Sequence, residues 1–180
     1  MVTIKKATKA DTTLLSLLSR VTYTESHGHF IANKNDLLKY CDQAYSIKKT
    51  LEDLEDKNNL FHIAYVDDFP VGYSKIVLNK SFEDKIENSS CRLERIYILS
   101  DFIPMKIGQP FLDYITEKVK EHNATSMWLS VYIKIKEEFV FTKKINLKIL
   151  PNELIQYILS FCELIVTTAT FRKNNFSSYF

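Results

Sequence analysis

Cys91-Arg92-Leu93-Glu94-Arg95-Ile96-Tyr97-Ile98-Leu99 runs into Ser100-Asp101-Phe102-Ile103-Pro104-Met105-Lys106-Ile107-Gly108-Gln109-Pro110, and then into Phe111, Leu112, Ile115 and Val119 at helical spacing. The first stretch carries no Gly or Pro and ends in Ile96-Tyr97-Ile98-Leu99, which predicts a strand. The last is an amphipathic helix that closes near His122-Asn123. A strand that empties through a loop into a helix leaves the first N–H groups of that helix without intrahelical acceptors, and such groups can hold a pyrophosphate. Lys106 to Gln109 stand at this junction. Every strand-loop-helix unit has such a terminus, so the junction alone names no ligand.

Working outward, Ile4 lies in a short extended start, and Ala10-Asp11-Thr12-Thr13 offers an acidic cap before Leu14, Leu15, Leu17, Leu18 and Val21. Phe30 to Asp36 is polar and leads to two short helices, one around Leu37, Leu38, Tyr40 and Cys41 and one through Ile47, Leu51 and Leu54. Asn59 to Asp67 and Val71, Tyr73, Lys75, Val77 predict a β-hairpin broken at Asp67-Asp68-Phe69-Pro70. Lys80 to Ser90 is a charged loop, and Met127-Trp128-Leu129-Ser130-Val131-Tyr132 is a further buried strand. In the tail, Ile145–Leu150 predicts a strand. Leu154, Ile155, Ile158, Leu159 and Cys162 fall at helical spacing, and Leu164 to Phe171 is strand-like. With the two short helices counted as one helical stretch, the order β, α, α, β, β, β, α, β predicts one α/β domain over 1–180, with a mixed sheet flanked by helices.

Composition narrows the function classes. The 180 residues carry 24 basic and 22 acidic side chains, a balance of +2, and 46% hydrophobic residues, which fits a globular chain and gives no electrostatic footprint for nucleic acid. Twenty of the 24 cations are Lys, which act as point charges and lack the planar fork of Arg. Three scattered cysteines, Cys41, Cys91 and Cys162, make neither a disulfide framework nor a zinc site and fit a reducing compartment. The N-terminus has no apolar run behind its lysines, and Leu154 to Phe171 is interrupted by Gln156 and Glu163, so a cytoplasmic protein without a membrane span is expected. With three glycines in all, Gly28, Gly72 and Gly108, no Gly-rich dinucleotide or P-loop fingerprint can be built.

The run Arg92-Leu93-Glu94-Arg95-Ile96-Tyr97-Ile98, followed by Lys106-Ile107-Gly108-Gln109, resembles the central motif of the GCN5-related N-acetyltransferase superfamily. Thr22-Tyr23-Thr24-Glu25, Asn35 to Tyr40, Pro70-Val71-Gly72-Tyr73 and Met127 to Tyr132 resemble, in order, the substrate-side helices, hairpin and W-L-x-V strand of its bacterial polyamine (spermidine/spermine) N-acetyltransferase branch. The likeness covers about 2–134; 135–180 diverges. It implies a mixed, mostly antiparallel sheet flanked by helices, with acetyl-CoA as co-substrate and a small-molecule amine as acceptor. It implies that the 95–99 strand splays from its neighbour. The backbone of Ile96, Tyr97 and Ile98 then pairs with pantetheine, while Lys106, Ile107, Gly108 and Gln109 hold pyrophosphate.

The chain departs from that pattern in two places. Ile103 stands for the family's Gln or Arg and Lys106 for its first loop glycine, and a side chain at 106 can obstruct close approach of the backbone to phosphate. Thr142 stands at the position of the family's acid tyrosine, and a threonine hydroxyl cannot serve as a proton donor to a thiolate as a phenol can. Written in AT-rich codons and read one base earlier after Lys134, the segment to Lys148 becomes N-K-R-R-I-R-F-Y-K-K-N-K-F-K, close to the family motif. One base lost in an adenine run near Lys134 would account for this, which makes the tail from Ile135 an out-of-frame segment.

Four other features have plainer readings beside the chemical ones. Glu94 could act through water as the base that deprotonates an ammonium, or pair structurally with Arg92 or Arg95. His27-Gly28-His29 lacks a placed carboxylate and reads as a polar loop, so no metal is expected. Cys91 reads as core. Glu52, Asp53, Glu55 and Asp56 read as a polyamine-attracting cluster or a solvated helix face. The reading is an acetyl-CoA-dependent N-acetyltransferase of a small amine, a monomer or homodimer without nucleic acid. Its rival is a catalytically compromised remnant of that fold which binds coenzyme A weakly or not at all.

Overall fold

The computed structural model describes residues 1–81, 90–131, 148–150 and 155–160. Its contacts divide the chain into two compact units, Met1–Ile76 with Arg95–Lys118 and Val77–Glu94 with Val119–Phe180.

In the first unit, β1 (Val2–Lys6) pairs antiparallel with β2 (Asn59–Val66), from Val2 opposite Val66 to Lys6 opposite His62. Asp67 and Asp68 turn β2 into β3 (Phe69–Val77) with φ of 47° and 64°. Two consecutive left-handed residues match the twist of a hairpin, and Asp is among the residues that tolerate that conformation. Phe69 and Pro70, read from sequence as part of the break, already belong to β3 because this turn needs only two residues. β4 (Ser90–Ile98) lies next to β3.

Three helices precede β2. α1 spans Thr12–His27, α2 Lys34–Ala44 and α3 Ile47–Glu55. Asp11 does sit at the N-cap of α1, but its carboxylate does not cap the helix; it accepts instead from the N–H and hydroxyl of Thr8 at 2.8 and 2.9 Å. Of the apolar residues counted toward this helix, Leu15 and Leu18 are buried, whereas Leu17 is 61% exposed. Asn33 and Ser46 cap α2 and α3 through the N–H groups of Asn35 and Lys49. The core of the unit is built from Leu15, Tyr45, Ile63, Val71, Tyr73, Phe111 and Ile115. Asp53, read as part of a polyamine-attracting cluster or a solvated helix face, is buried: Lys49 and Lys75 donate to its two oxygens at 2.6 and 2.8 Å.

In the second unit, the start of β4 pairs in parallel with β5 (Ser126–Val131) over Ser90–Arg92 and Ser126–Trp128. β7 (Ile155–Ser160) pairs antiparallel with β5 on one side and with β6 (Lys148–Leu150) on the other. The helix read from Leu154, Ile155, Ile158, Leu159 and Cys162 is therefore not formed over Ile155–Ser160. A short apolar run is ambiguous by periodicity, and β5 offers it a full row of backbone partners, six residue pairs from Ser126 opposite Ser160 to Val131 opposite Ile155. The strand expected over Ile145–Leu150 is present at Lys148–Leu150. The strand-like run 164–171 lies outside the described residues. Among those residues, no helix is long and apolar enough to cross a membrane.

Candidate active site

The end of β4, the loop after it and the start of α4 (Gly108–Glu121) all fall within Arg95–Lys118, in the first unit. β4 ends because its backbone turns into a 3-10 segment, Ser100–Met105. Leu99 N–H still donates to Val71 of β3 at 2.8 Å, and Ser100 N–H donates to a carboxylate oxygen of Glu25 at 2.9 Å. Lys106 N–H then donates to Ile103 O at 3.0 Å, with Lys106 in the left-handed region at φ 57° and ψ 33°. This is the position where the sequence pattern carries a glycine, the residue for which that conformation is free of Cβ strain.

Ile107, 1% exposed, anchors the turn in the core. The Phe111 N–H donates to Ile107 O at 3.0 Å, so the N–H groups of Gly108 and Gln109 lie ahead of the helical ladder. Pro104 and Pro110 contribute no donor to this stretch. The Gln109 side chain is held by Asp113, its amide donating at 2.8 Å, while Lys106 is exposed. Two unladdered amides beside an exposed ammonium form a donor set suited to a phosphate-type anion.

On β4, Glu94, Ile96 and Ile98 are half-buried along one face, and Tyr97 is buried on the other. Tyr97 lies edge-on to His27 at 5.9 Å, and His27 stacks on Tyr23 at 4.5 Å with 7° between the rings. Burial, aided by the nearby His29, pushes the His27 imidazole down to about 4, so it is neutral at physiological pH. This histidine is a packing element of the β4 end. The role of Gly72 was not read from sequence, although an isolated glycine within a strand signals close backbone approach. A Cβ there would stand 2.5 Å from the Tyr97 carbonyl oxygen.

The structure thus places Ile96, Tyr97, Ile98, Lys106, Ile107, Gly108 and Gln109 in one unit. Glu94 falls at the edge of the other unit, and Thr142 lies outside the described residues. Cys91 is buried with its thiol near Ser126 O at 3.5 Å, and burial pushes that thiol up to about 12, which makes it a core residue and not a nucleophile. Glu55, at the end of α3, accepts from Lys9, 46 residues away, at 2.8 Å, and Asp56, the residue after the helix, accepts from the Asn58 N–H. Sequence reasoning missed Glu25. Its bond to Ser100 joins residues 75 apart, and no local pattern announces it.

No family model matches the chain. Among curated proteins it is similar to an uncharacterized N-acetyltransferase from the pepI 3′ region of Lactobacillus delbrueckii subsp. lactis, at 22% identity over 115 residues. That match takes in 64% of this chain and 66% of the relative, just under two thirds of the relative's length. Among solved structures it is similar to the PaiA N-acetyltransferase of Thermoplasma acidophilum in complex with coenzyme A, with a TM-score of 0.77 and 18% identity over 89% of this chain and 99% of that one. An acetyltransferase of Thermus thermophilus gives a TM-score of 0.66 at 14% identity, covering 89% and 97% of the two chains. An aminoglycoside 6′-acetyltransferase type Ii gives 0.64 at 16% identity, covering 88% and 96%. With the strand-loop-helix junction at its centre, this chain has the mixed α/β fold of the GCN5-related N-acetyltransferases.

Proposed function

We propose that the protein is an N-acetyltransferase that moves the acetyl group of acetyl-CoA to a primary amine of a small molecule. The acceptor class is a polyamine, on the resemblance of Thr22 to Glu25 and Asn35 to Tyr40 to the polyamine branch. The observation that carries the reading is the junction itself: β4 runs through a 3-10 segment that closes on a left-handed Lys106 and leads to the amides of Gly108 and Gln109, ahead of the helical ladder, on this fold. The donor set fits a pyrophosphate, which two backbone N–H groups and one ammonium can hold without a metal ligand cluster. The names of the PaiA and aminoglycoside enzymes support the same chemistry.

Bound acetyl-CoA would supply an activated thioester. In this reading the chain's residues do the rest. Lys106, Gly108 and Gln109 hold the anionic end, and the backbone of Ile96, Tyr97 and Ile98 orients the pantetheine arm. Glu94, half-buried on the same strand, takes the proton that the acceptor ammonium must lose before its nitrogen can attack, through a water. The C–N bond forms as the C–S bond breaks, and the departing thiolate gains a proton. A tyrosine would ordinarily give that proton. Thr142 stands at its position in a segment read as out of frame after Lys134, so the proton comes from solvent and turnover is slowed.

A thiol-release assay with acetyl-CoA and a panel of primary amines, spermidine included, tests this. Release that depends on the amine is expected, at a rate below the ordinary enzyme range of about 1–10³ s⁻¹, since an acid contributes typically ~10²–10⁴-fold. No amine-dependent release from any member of the panel contradicts the function. A rate inside the ordinary range contradicts the role given to Thr142.

A further inference from the structure

The N–H of Ser100 is the first donor of the 3-10 segment that leads into the Lys106–Gln109 loop, and it has no acceptor within that segment. No side chain of the segment's own N-cap, Leu99, can serve it. The acceptor comes from α1: Glu25 Oε2 at 2.9 Å. Two residues along α1, His27 packs edge-on against Tyr97, the penultimate residue of β4, at 5.9 Å and 79°. On the other side, Leu99 N–H is held by Val71 O at 2.8 Å. The last turn of α1 and the backbone of β3 therefore fasten the strand outlet from two directions.

We propose that Glu25 is a positioning residue for the coenzyme A loop: its carboxylate fixes the chain direction at Ser100, and so sets where Lys106 and the amides of Gly108 and Gln109 stand. The inference rests on the acetyltransferase reading above. Glu25 contributes as a hydrogen-bond acceptor, and its negative charge is not required. A glutamine keeps an acceptor oxygen at the same reach, whereas an alanine leaves the Ser100 N–H to water. Because the charge would oppose a nearby pyrophosphate, Glu25→Gln should bind coenzyme A at least as well as the native residue.

The test compares wild type, Glu25→Gln and Glu25→Ala by amide exchange of the free protein, by calorimetric titration with coenzyme A, and by steady-state kinetics with acetyl-CoA. Glu25→Ala is expected to lose protection at Ser100–Met105 by roughly fivefold, as the loss of one ordinary hydrogen bond implies. Protection of the core amides in β2 should stay unchanged. Its coenzyme A affinity is expected to fall, and its KM for acetyl-CoA to rise, by roughly the same factor with kcat retained. Glu25→Gln should stay within about twofold of wild type on every readout. Unchanged exchange at Ser100 in Glu25→Ala, unchanged affinity, or equal losses in the two variants overturns this inference alone. A wild type that does not bind coenzyme A overturns the acetyltransferase reading and this inference with it.

Discussion

Among the described residues, Lys106 is the one left-handed position held by something other than Asp or Asn. At φ 57° a lysine bears the left-handed penalty, roughly 1–2 kcal/mol for a residue with a Cβ. Its neighbour Ile107 is fully buried, so the turn cannot relax by letting go of the core. Replacing Lys106 by Gly removes the penalty but returns some chain entropy to the unfolded state, so a net gain of about 0.5–1 kcal/mol is expected. Lys106→Ala keeps the Cβ and should gain nothing. Urea denaturation reads the difference as a higher midpoint at unchanged slope for the glycine variant alone. Equal midpoints for the two variants would mean that residue 106 is not left-handed in solution.

At the scale of elements, α3 is pinned to β3 by a buried charge. Asp53 and Lys75 are each 7% exposed at the side chain, and Lys49 closes the second oxygen. Burial raises the Asp53 carboxyl, yet the hydrogen bonds from Lys49 and Lys75 outweigh it and hold the group below its ordinary value. The stabilisation is therefore complete above the unfolded value of about 3.9 and is lost as pH falls through the lower folded value. Asp53→Asn leaves the Lys75 ammonium buried with one partner removed and is expected to cost about 3–5 kcal/mol at neutral pH. It should also flatten the acid limb of the stability profile below about pH 4. A loss under about 1 kcal/mol, typical of an exposed pair, would show that the pair is solvated. From sequence, Asp53 looked like one acid among four on a polar face, because its cationic partner Lys75 lies 22 residues away. The same limit explains Glu25 and β7, whose states depend on partners distant in sequence. The junction of β4 with α4 is legible because both elements announce themselves locally, the one by a run without Gly or Pro that ends in Ile96-Tyr97-Ile98-Leu99 and the other by apolar spacing after Gly108 and Pro110.

For the molecule as a whole, a TM-score of 0.77 at 18% identity shows how far side chains can diverge while the pattern of buried positions keeps the fold. What the fold does not carry by itself is chemistry. The residues proposed to hold the cofactor fall in the first unit, where Arg95–Lys118 holds strand end, loop and helix start together. The proposed reaction requires that acetyl-CoA bind across Ile96–Ile98 and Lys106–Gln109. Gly108 is half-buried at the first position of α4, where a tryptophan would add a large side chain beside the amides that lie ahead of the helical ladder. Calorimetric titration of wild type and Gly108→Trp with coenzyme A, at matched thermal stability, tests this requirement most directly. Binding by the wild type and its loss in Gly108→Trp is the predicted result; equal affinity for both proteins would contradict it.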